Sequence, residues 1–563
     1  MKTRSLFLAC STSCFALSSF VIVYLHSYPT IVNPSVSDLV LTCALAAWIG
    51  SITLAILTHE SNRECALALA TIVELSLVVR LIPHLRFSVP ILIDPYPYSL
   101  VASSISTSGS LSPILTWWYP QLPNLMPWPL MQLQSVSVAD ASGLGLGWAI
   151  RFQEPLFGSL IAPAAFLLAR SITLSNRASL LTALLASSSD VVIFYQSEYH
   201  PQGLALLLFT FFLYSYFRSL GKSKVPFRFI SVILTIAMVF VHHFSAILVA
   251  LLALGFLILA YLVPIIKARF PNGETAWFSA SSRTVWLLLA VSTMSYEILG
   301  YPRVVRGFFD LLQYLPPPSI VITFGANTPL SSTILNALKW GVFVSAASVV
   351  IRMRHRLSLR EWSLVMLILI VIAGGLLADF AIGGPTDRIV AFAILLVTPL
   401  SALGFLSVIG KGGPRVLWRV LTVAVLVVIS TGGVMNVFPP GLYLQSSGPD
   451  PHYFSSNDFS SVSVYVPTGN WINQYTASDA RYVVEFDAWM AVFYYGNRSM
   501  ADIQWMGEAT SNPLTDNPGV FLVVNPSVPY RYTKFSFDKG AFLAANDVVY
   551  SNGLVVVCTE LHP

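Results

Sequence analysis

Four short stretches carry side chains able to do chemistry at the edge of a membrane. The first is Ile93-Asp94-Pro95-Tyr96-Pro97-Tyr98, where a carboxylate stands beside two prolines just after an apolar run. Asp94 is either a fixed reactive group, able to take a proton from a hydroxyl or hold a cation, or a turn former in a stiffened loop. Tyr96, two residues on, is a further candidate contact for substrate. The second stretch, Tyr195-Gln196-Ser197-Glu198-Tyr199-His200-Pro201-Gln202, pairs a carboxylate with an imidazole. Glu198 and His200 could hold a divalent cation or a hydrogen-bond network on a sugar or phosphate, although a tight polar hairpin needs only turn chemistry.

The third stretch is His242-His243-Phe244-Ser245. Adjacent histidines point in different directions, so they are poorly placed to chelate one metal together. His243 is a candidate substrate contact, and interfacial packing is the plainer alternative. The fourth, Gly383-Gly384-Pro385-Thr386-Asp387-Arg388, ends in a guanidinium whose fixed fork of donors suits a phosphate. Pairing of Arg388 with Asp387 or Asp379 is the alternative. Asp94 and Glu198 are the oxygen donors for a magnesium or manganese ion, if the chemistry uses one.

The elements that must position these groups are helices in a bilayer. Of 563 residues, 55% are hydrophobic and 10% charged, with mean hydropathy +0.71, whereas soluble domains carry roughly a quarter charged residues. The net charge of +5 is therefore a matter of membrane topology, and nucleic acid is not indicated as a partner. The five cysteines, Cys10, Cys14, Cys43, Cys65 and Cys558, give neither a disulfide framework nor a zinc spacing.

Runs long enough to cross an apolar core of about 30 Å fall near 6–26, 37–57, 65–82, 153–170, 178–196, 202–219, 228–242, 245–265, 284–300, 331–351, 362–380, 389–410 and 416–437. The first is read as a retained helix rather than a signal peptide, because its apolar run is long and no clear small-x-small site closes it. With the N-terminus in the cytoplasm, nineteen basic residues of the membrane part fall on the inner side against seven elsewhere, the seven being Arg80, Arg86, Arg151, Arg303, Arg306, Lys339 and Arg388. Eleven of the fifteen acids in the same part then lie outside or at membrane depth, Glu154 and Asp190 among them. Ionisable groups at such depth usually line a wet, functional cavity.

The expected organisation is a polytopic α-helical membrane domain over residues 1–437, with about thirteen spans and an outer loop at 83–150. Residues 438–563 are expected to form a small extracytoplasmic α/β domain. That tail holds eleven of the 26 acids and short β-rich runs at Arg481–Phe486, Val520–Val524, Val548–Tyr550 and Leu554–Val557. Trp471–Tyr475 reads as the start of its first helix, and Asn497-Arg498-Ser499 is a glycosylation sequon.

Taken in order, these marks resemble the GT-C superfamily of polytopic glycosyltransferases, the archaeal members especially and, more distantly, the oligosaccharyltransferases and protein mannosyltransferases. The marks are the acidic outer loop at Asp94-Pro95-Tyr96, the stretch Tyr119-Pro120-Gln121-Leu122-Pro123, the short acidic loop Glu198-Tyr199-His200, the late Arg388, and the tail. The resemblance implies an inverting transferase in the cell membrane. It would take a sugar from a polyprenyl-phosphate donor and deliver it to a glycan, lipid or protein acceptor on the outer face. By position it gives Asp94 the catalytic or acceptor-orienting role, Glu198 with His200 the metal or substrate role, and Arg388 the donor phosphate.

The sequence also departs from that pattern. Three spans precede the acidic loop where the superfamily usually has one, the tail lacks Trp-Trp-Asp, and the second loop lacks Asp-x-Asp. A sugar-transferring relative is thus favoured over a true oligosaccharyltransferase. Two rivals stand beside it: a transporter or flippase of an amphiphilic solute, whose expected mark is an internal repeat with broken helices, and a non-catalytic assembly subunit of GT-C-like fold.

Overall fold

A computed structural model describes residues 34–59, 61–86, 95–110, 129–197, 199–219, 224–242, 330–353, 359–382, 386–409, 415–437, 461–484, 503–505, 520–524, 547–551 and 556–559. It also describes isolated positions between 245 and 291 and at 492 and 496, and for some helix residues it gives the backbone alone. The chain divides into two compact units. One holds residues 1–82, 124–131 and 152–440, and the other 83–123, 132–151 and 441–563.

The first unit is helical. Its elements are α1 (Pro34–Thr58), α2 (Asn62–Arg86, which runs on into the second unit), and, after α3 (Pro95–Ser108) and α4 (Leu130–Ser142) of the second unit, α5 (Leu146–Ser159). There follow α6 (Ile161–Thr173), α7 (Asn176–Ser187), α8 (Asp190–Ser197), α9 (Pro201–Ser219), α10 (Lys224–Val241), α11 (Leu330–Met353), α12 (Leu359–Ile382), α13 (Thr386–Ile409) and α14 (Arg415–Val437). Local chemistry sets their ends. Ser61 accepts from the Glu64 amide while Glu64 accepts from the Ser61 amide, a reciprocal capping box that starts α2. The hydroxyl of Ser175 accepts from the Ala178 amide and starts α7.

Helix α13 lies at the centre. Residues 391–402 are all buried, the mark of a helix apolar on every side and enclosed by its neighbours. It packs against α7, α11, α12 and α14, and Phe392 meets Phe209 of α9 edge-on, ring centroids 5.0 Å apart. Small residues bring α11 close, for the Ser401 hydroxyl donates to the Val342 carbonyl and the Ser345 hydroxyl to the Ser401 carbonyl. At the periphery α10 turns Val225, Phe229, Ile233, Ile236 and Phe240 outward at helical spacing. Such an apolar stripe is stable where its solvent is lipid.

Among the described residues three stretches are long and apolar enough to cross a membrane, namely Val40–Thr58, Leu146–Thr173 and Ile389–Ser407. A fourth arises if α7 and α8 are one span broken by a 60° bend. The run 178–196 therefore departs from the continuous helix expected of it. The cause is Ser187-Ser188-Ser189-Asp190, whose short polar side chains satisfy the backbone locally. The Ser188 hydroxyl donates to the Leu184 carbonyl, and the Asp190 carboxylate accepts from the Val191 amide. A cavity opens at this break, lined by Ser188, Ser189, Asp190, Thr398, Gly432 and Gly433 with apolar neighbours.

The expected loop at 83–150 holds two helices, α3 and α4, and the first turn of α5. Pro95 and Pro97, read as stiffeners of a loop, stand in the first turn of α3, where proline's fixed φ and missing N–H suit a helix start. Its inner face carries Val101, Ala102 and Ile105, all buried.

The tail contributes α15 (Ser461–Tyr475) and a sheet of β1 (Arg481–Val484), β2 (Ile503–Trp505), β3 (Val520–Val524), β4 (Asp547–Ser551) and β5 (Val556–Thr559), in the order β2-β1-β3-β5-β4. β1 runs parallel to both neighbours, and the pairs β3–β5 and β5–β4 are antiparallel. Trp471–Tyr475 close α15 rather than open it, and Pro467 inside the helix is what hides its first turns from pattern reading. Tyr482, fully buried, stacks on Phe521 at 5.6 Å.

Burial pushes the Cys558 thiol on β5 up to about 11. The native thiol is thus expected to resist iodoacetamide at pH 8 and to react fast once denaturant opens the sheet, as mass spectrometry of its peptide will show. Fast native labelling would contradict the placement of β5.

Candidate functional site

The first turn of α9 is where polar side chains converge in the membrane unit. His200 occupies the position just before Pro201 and is 2% exposed. Its Nδ1 accepts from the Gln202 backbone N–H at 3.0 Å, and its carbonyl accepts from the Gly203 N–H. An accepting Nδ1 places the proton of a neutral ring on Nε2. The His200 ring lies 5.3 Å from that of Tyr195 and 6.2 Å from that of His242. His242 is buried as well, its Nδ1 3.3 Å from the Ser245 hydroxyl.

Glu154 of α5 reaches the same turn. A Cβ built on Gly203 would stand 2.5 Å from its Oε2 and 2.3 Å from the Tyr195 carbonyl oxygen, so only glycine lets the two helices and the α8–α9 link approach so closely. Glu154 is 1% exposed. Gln153 is its polar neighbour, yet among the described residues neither side chain has a partner of hydrogen-bond geometry.

Beneath this turn Arg80 of α2 is wholly enclosed. Its Nε and Nη2 donate to the Gln196 Oε1 at 3.2 and 2.8 Å. Nη1 donates to the Ser76 hydroxyl at 2.7 Å, the Ser76 carbonyl at 3.0 Å and the Ser187 carbonyl at 3.3 Å. Gln196 in turn donates to the Gly203 carbonyl at 3.4 Å. One cation thereby ties α2, the end of α7, α8 and the start of α9 together, and its hydrogen-bond partners among the described residues are all neutral. Gly158 makes room for it, because a Cβ there would meet the Gln196 Cβ at 2.7 Å and the Arg80 Cδ at 3.0 Å.

Of the residues singled out by sequence, His200 has a described side chain, and the structure brings it to Tyr195 and His242. Tyr96 stands in the first turn of α3 and Arg388 in the first turn of α13, both with backbone placement alone. Asp94, Glu198 and His243 lie outside the described residues. Among those that are described, no three of His, Cys, Asp and Glu gather in a way that could hold a metal. The two oxygen donors expected for a divalent cation, Asp94 and Glu198, lie outside those residues.

Sequence reasoning passed over Glu154, Arg80, Gln196 and Gly203. Signals for two were present, since Glu154 counted among the acids at membrane depth and Arg80 among the bases off the cytoplasmic side.

No protein-family model matches the sequence, and no curated protein sequence does. Solved structures do match. ArnT from Cupriavidus metallidurans bound to undecaprenyl phosphate aligns with a TM-score of 0.51 at 11% identity, over 87% of this chain and 97% of that one. The apo state of ArnT from the same organism gives 0.49 at 12% identity over the same shares. At such identity the likeness shows fold and nothing finer, and this chain is a polytopic helical membrane protein with the fold of ArnT.

Proposed function

We propose that this chain is a membrane glycosyltransferase of the GT-C kind, taking a sugar from a polyprenyl-phosphate carrier and delivering it to an acceptor on the outer face. The observation that carries the reading is the shared fold with ArnT, which was crystallised with undecaprenyl phosphate and is covered over 97% of its length. In this reading residues 438–563 stand outside as a separate domain and the N-terminus is cytoplasmic, as the distribution of basic residues supports.

The chemistry then needs a base for the acceptor hydroxyl and a fixed positive charge for the carrier phosphate. Asp94 supplies the first and Arg388 the second, while His200 and Glu198 hold the sugar through hydrogen bonds and Tyr96 and His243 serve as further substrate contacts. Glu198 and Asp94 are the oxygen donors a magnesium or manganese ion would use, and no step here is routed through one. Arg388 is suited by position. It sits in the first turn of α13, immediately before the enclosed span Ile389–Ser407, where a helix N-terminus already favours an anion.

The test is binding of undecaprenyl phosphate against undecaprenol by the protein in nanodiscs. Binding is expected to require the phosphate, and equal affinity for both overturns the reading. Arg388→Lys keeps the charge and loses the two-pronged geometry, so phosphate-dependent affinity is expected to fall about tenfold. Full affinity in the lysine variant reassigns Arg388 to a partnership with Asp387.

One observation favours the transporter rival, the broken pair α7–α8 with the cavity at its bend. Release of a trapped amphiphile from proteoliposomes, without any sugar transfer, would support it.

A further inference from the structure

On the tail, three aromatic rings meet at the surface between α15 and β4. Trp471 and Tyr475, one helical turn apart, lie with ring centroids 5.9 Å apart and planes 31° from parallel. Tyr550 of β4 stacks on Trp471 at 4.9 Å and 26°. A register shift between Val548 and Tyr550 interrupts the pairing of β4 with β5. An extra residue in an edge strand re-aims the side chains that follow it, and here it sets Tyr550 on Trp471.

The cluster opens to solvent at Tyr475, which is 70% exposed, while Trp471 and Tyr550 are half-buried. Tyr475 does not hold its position for burial's sake, and an exposed ring continuous with a larger aromatic cluster marks a binding surface. The polar groups around it are exposed too. Gln474 lies on α15 and Asp479 just after it, and Asp547 opens β4. Arg481 is the exposed cation of the described neighbourhood. Such a rim, polar with more acid than base, repels anionic surfaces and complements a neutral molecule rich in hydroxyls.

We propose that Trp471, Tyr475 and Tyr550 form a shelf that binds a neutral glycan, a pyranose ring of which lays its C–H face on the exposed Tyr475 while Gln474 and Asp479 reach the ring hydroxyls. The electron-rich face of an aromatic ring attracts the weakly positive C–H groups on one side of a sugar, and the amide and carboxylate supply direction. If the chain transfers sugar as proposed above, the shelf is where a glycan acceptor is held beyond its reacting end. The inference rests on that reading for its biological use, but its measurement does not.

Saturation-transfer NMR of the full chain in nanodiscs prepared without maltoside detergent tests it, with maltohexaose, mannohexaose and chitohexaose as probes. Transfer to the C–H protons of at least one of them is expected in the wild type. Tyr475→Ala, harmless to the fold at so exposed a position, is expected to weaken that binding about tenfold, and Tyr475→Phe to retain most of it. No binding of any probe, or equal binding by Tyr475→Ala, overturns the proposal. So does quenching of the fluorescence lost in Trp471→Phe by brominated lipid, which would show the shelf lying on the bilayer. Neither donor nor turnover is needed, so failure here alongside phosphate-dependent lipid binding counts against the shelf and not against the transferase.

Discussion

Asp94→Asn is expected to lower sugar transfer by about 10² to 10⁴-fold, the usual contribution of a positioned general base, while expression, folding and undecaprenyl phosphate binding stay intact. The substitution is chosen for where it falls. Asp94 directly precedes Pro95, the first residue of α3, and an aspartate in that sequence position is a favoured helix cap. Asparagine caps a helix as well as aspartate does, so it preserves the structural role and removes only the basic oxygen. Asp94→Ala removes both and is expected to add about 1 kcal/mol of lost helix stability. Transfer by Asp94→Asn at the wild-type rate, with the protein folded and the donor bound, would reduce Asp94 to a cap and move the catalytic assignment to Glu198 or Glu154.

Several helices were legible because long apolar runs stand out in composition, while the runs expected at 6–26 and, for the most part, 245–265 and 284–300 lie outside the described residues. Runs expected at 331–351, 362–380, 389–410 and 416–437 match α11 to α14 within a few residues at each end. Strands β1, β3, β4 and β5 were legible as β-branched runs, whereas β2 is three residues, Ile503-Gln504-Trp505, too short to show a period. What escaped was structure decided by local competition. The bend between α7 and α8 turns on three serines and Asp190 rather than on any loss of hydropathy, and α3 opens on Pro95-Tyr96-Pro97, which reads as loop.

The site was harder still. Its conspicuous residues stand in sequence at the ends of apolar runs, while Glu154 and Arg80 lie inside apolar helices where one charged letter scarcely alters a hydropathy window. Which residues meet is a matter of tertiary packing. Nothing local says that His242 lies against the His200 ring, nor that Arg80 reaches Gln196, 116 residues away.

That long-range pair is where the second large effect is expected, in stability. Arg80→Ala is expected to destabilise the membrane unit by about 3 to 5 kcal/mol, read as a fall in thermal unfolding midpoint, because it strips the Gln196 amide oxygen and the Ser187 carbonyl of their donor in a dry interior. The guanidinium itself is a poor source of stability, since it has lost its water and, among the described residues, faces no carboxylate within ion-pair range. Arg80→Met with Gln196→Leu removes the cation together with its main acceptor and fills the volume with apolar atoms. This double variant is expected to recover a large part of the loss, leaving a coupling of at least about 1 kcal/mol between the two positions. Recovered stability without recovered transfer would then show what the buried cation is for. With Gln196 gone, the Gly203 carbonyl is released and the turn bearing His200 is no longer tied to α2. Additive losses for the two substitutions would instead mean that Arg80 and Gln196 act independently, and that the turn is held by α5 and the close approach at Gly203.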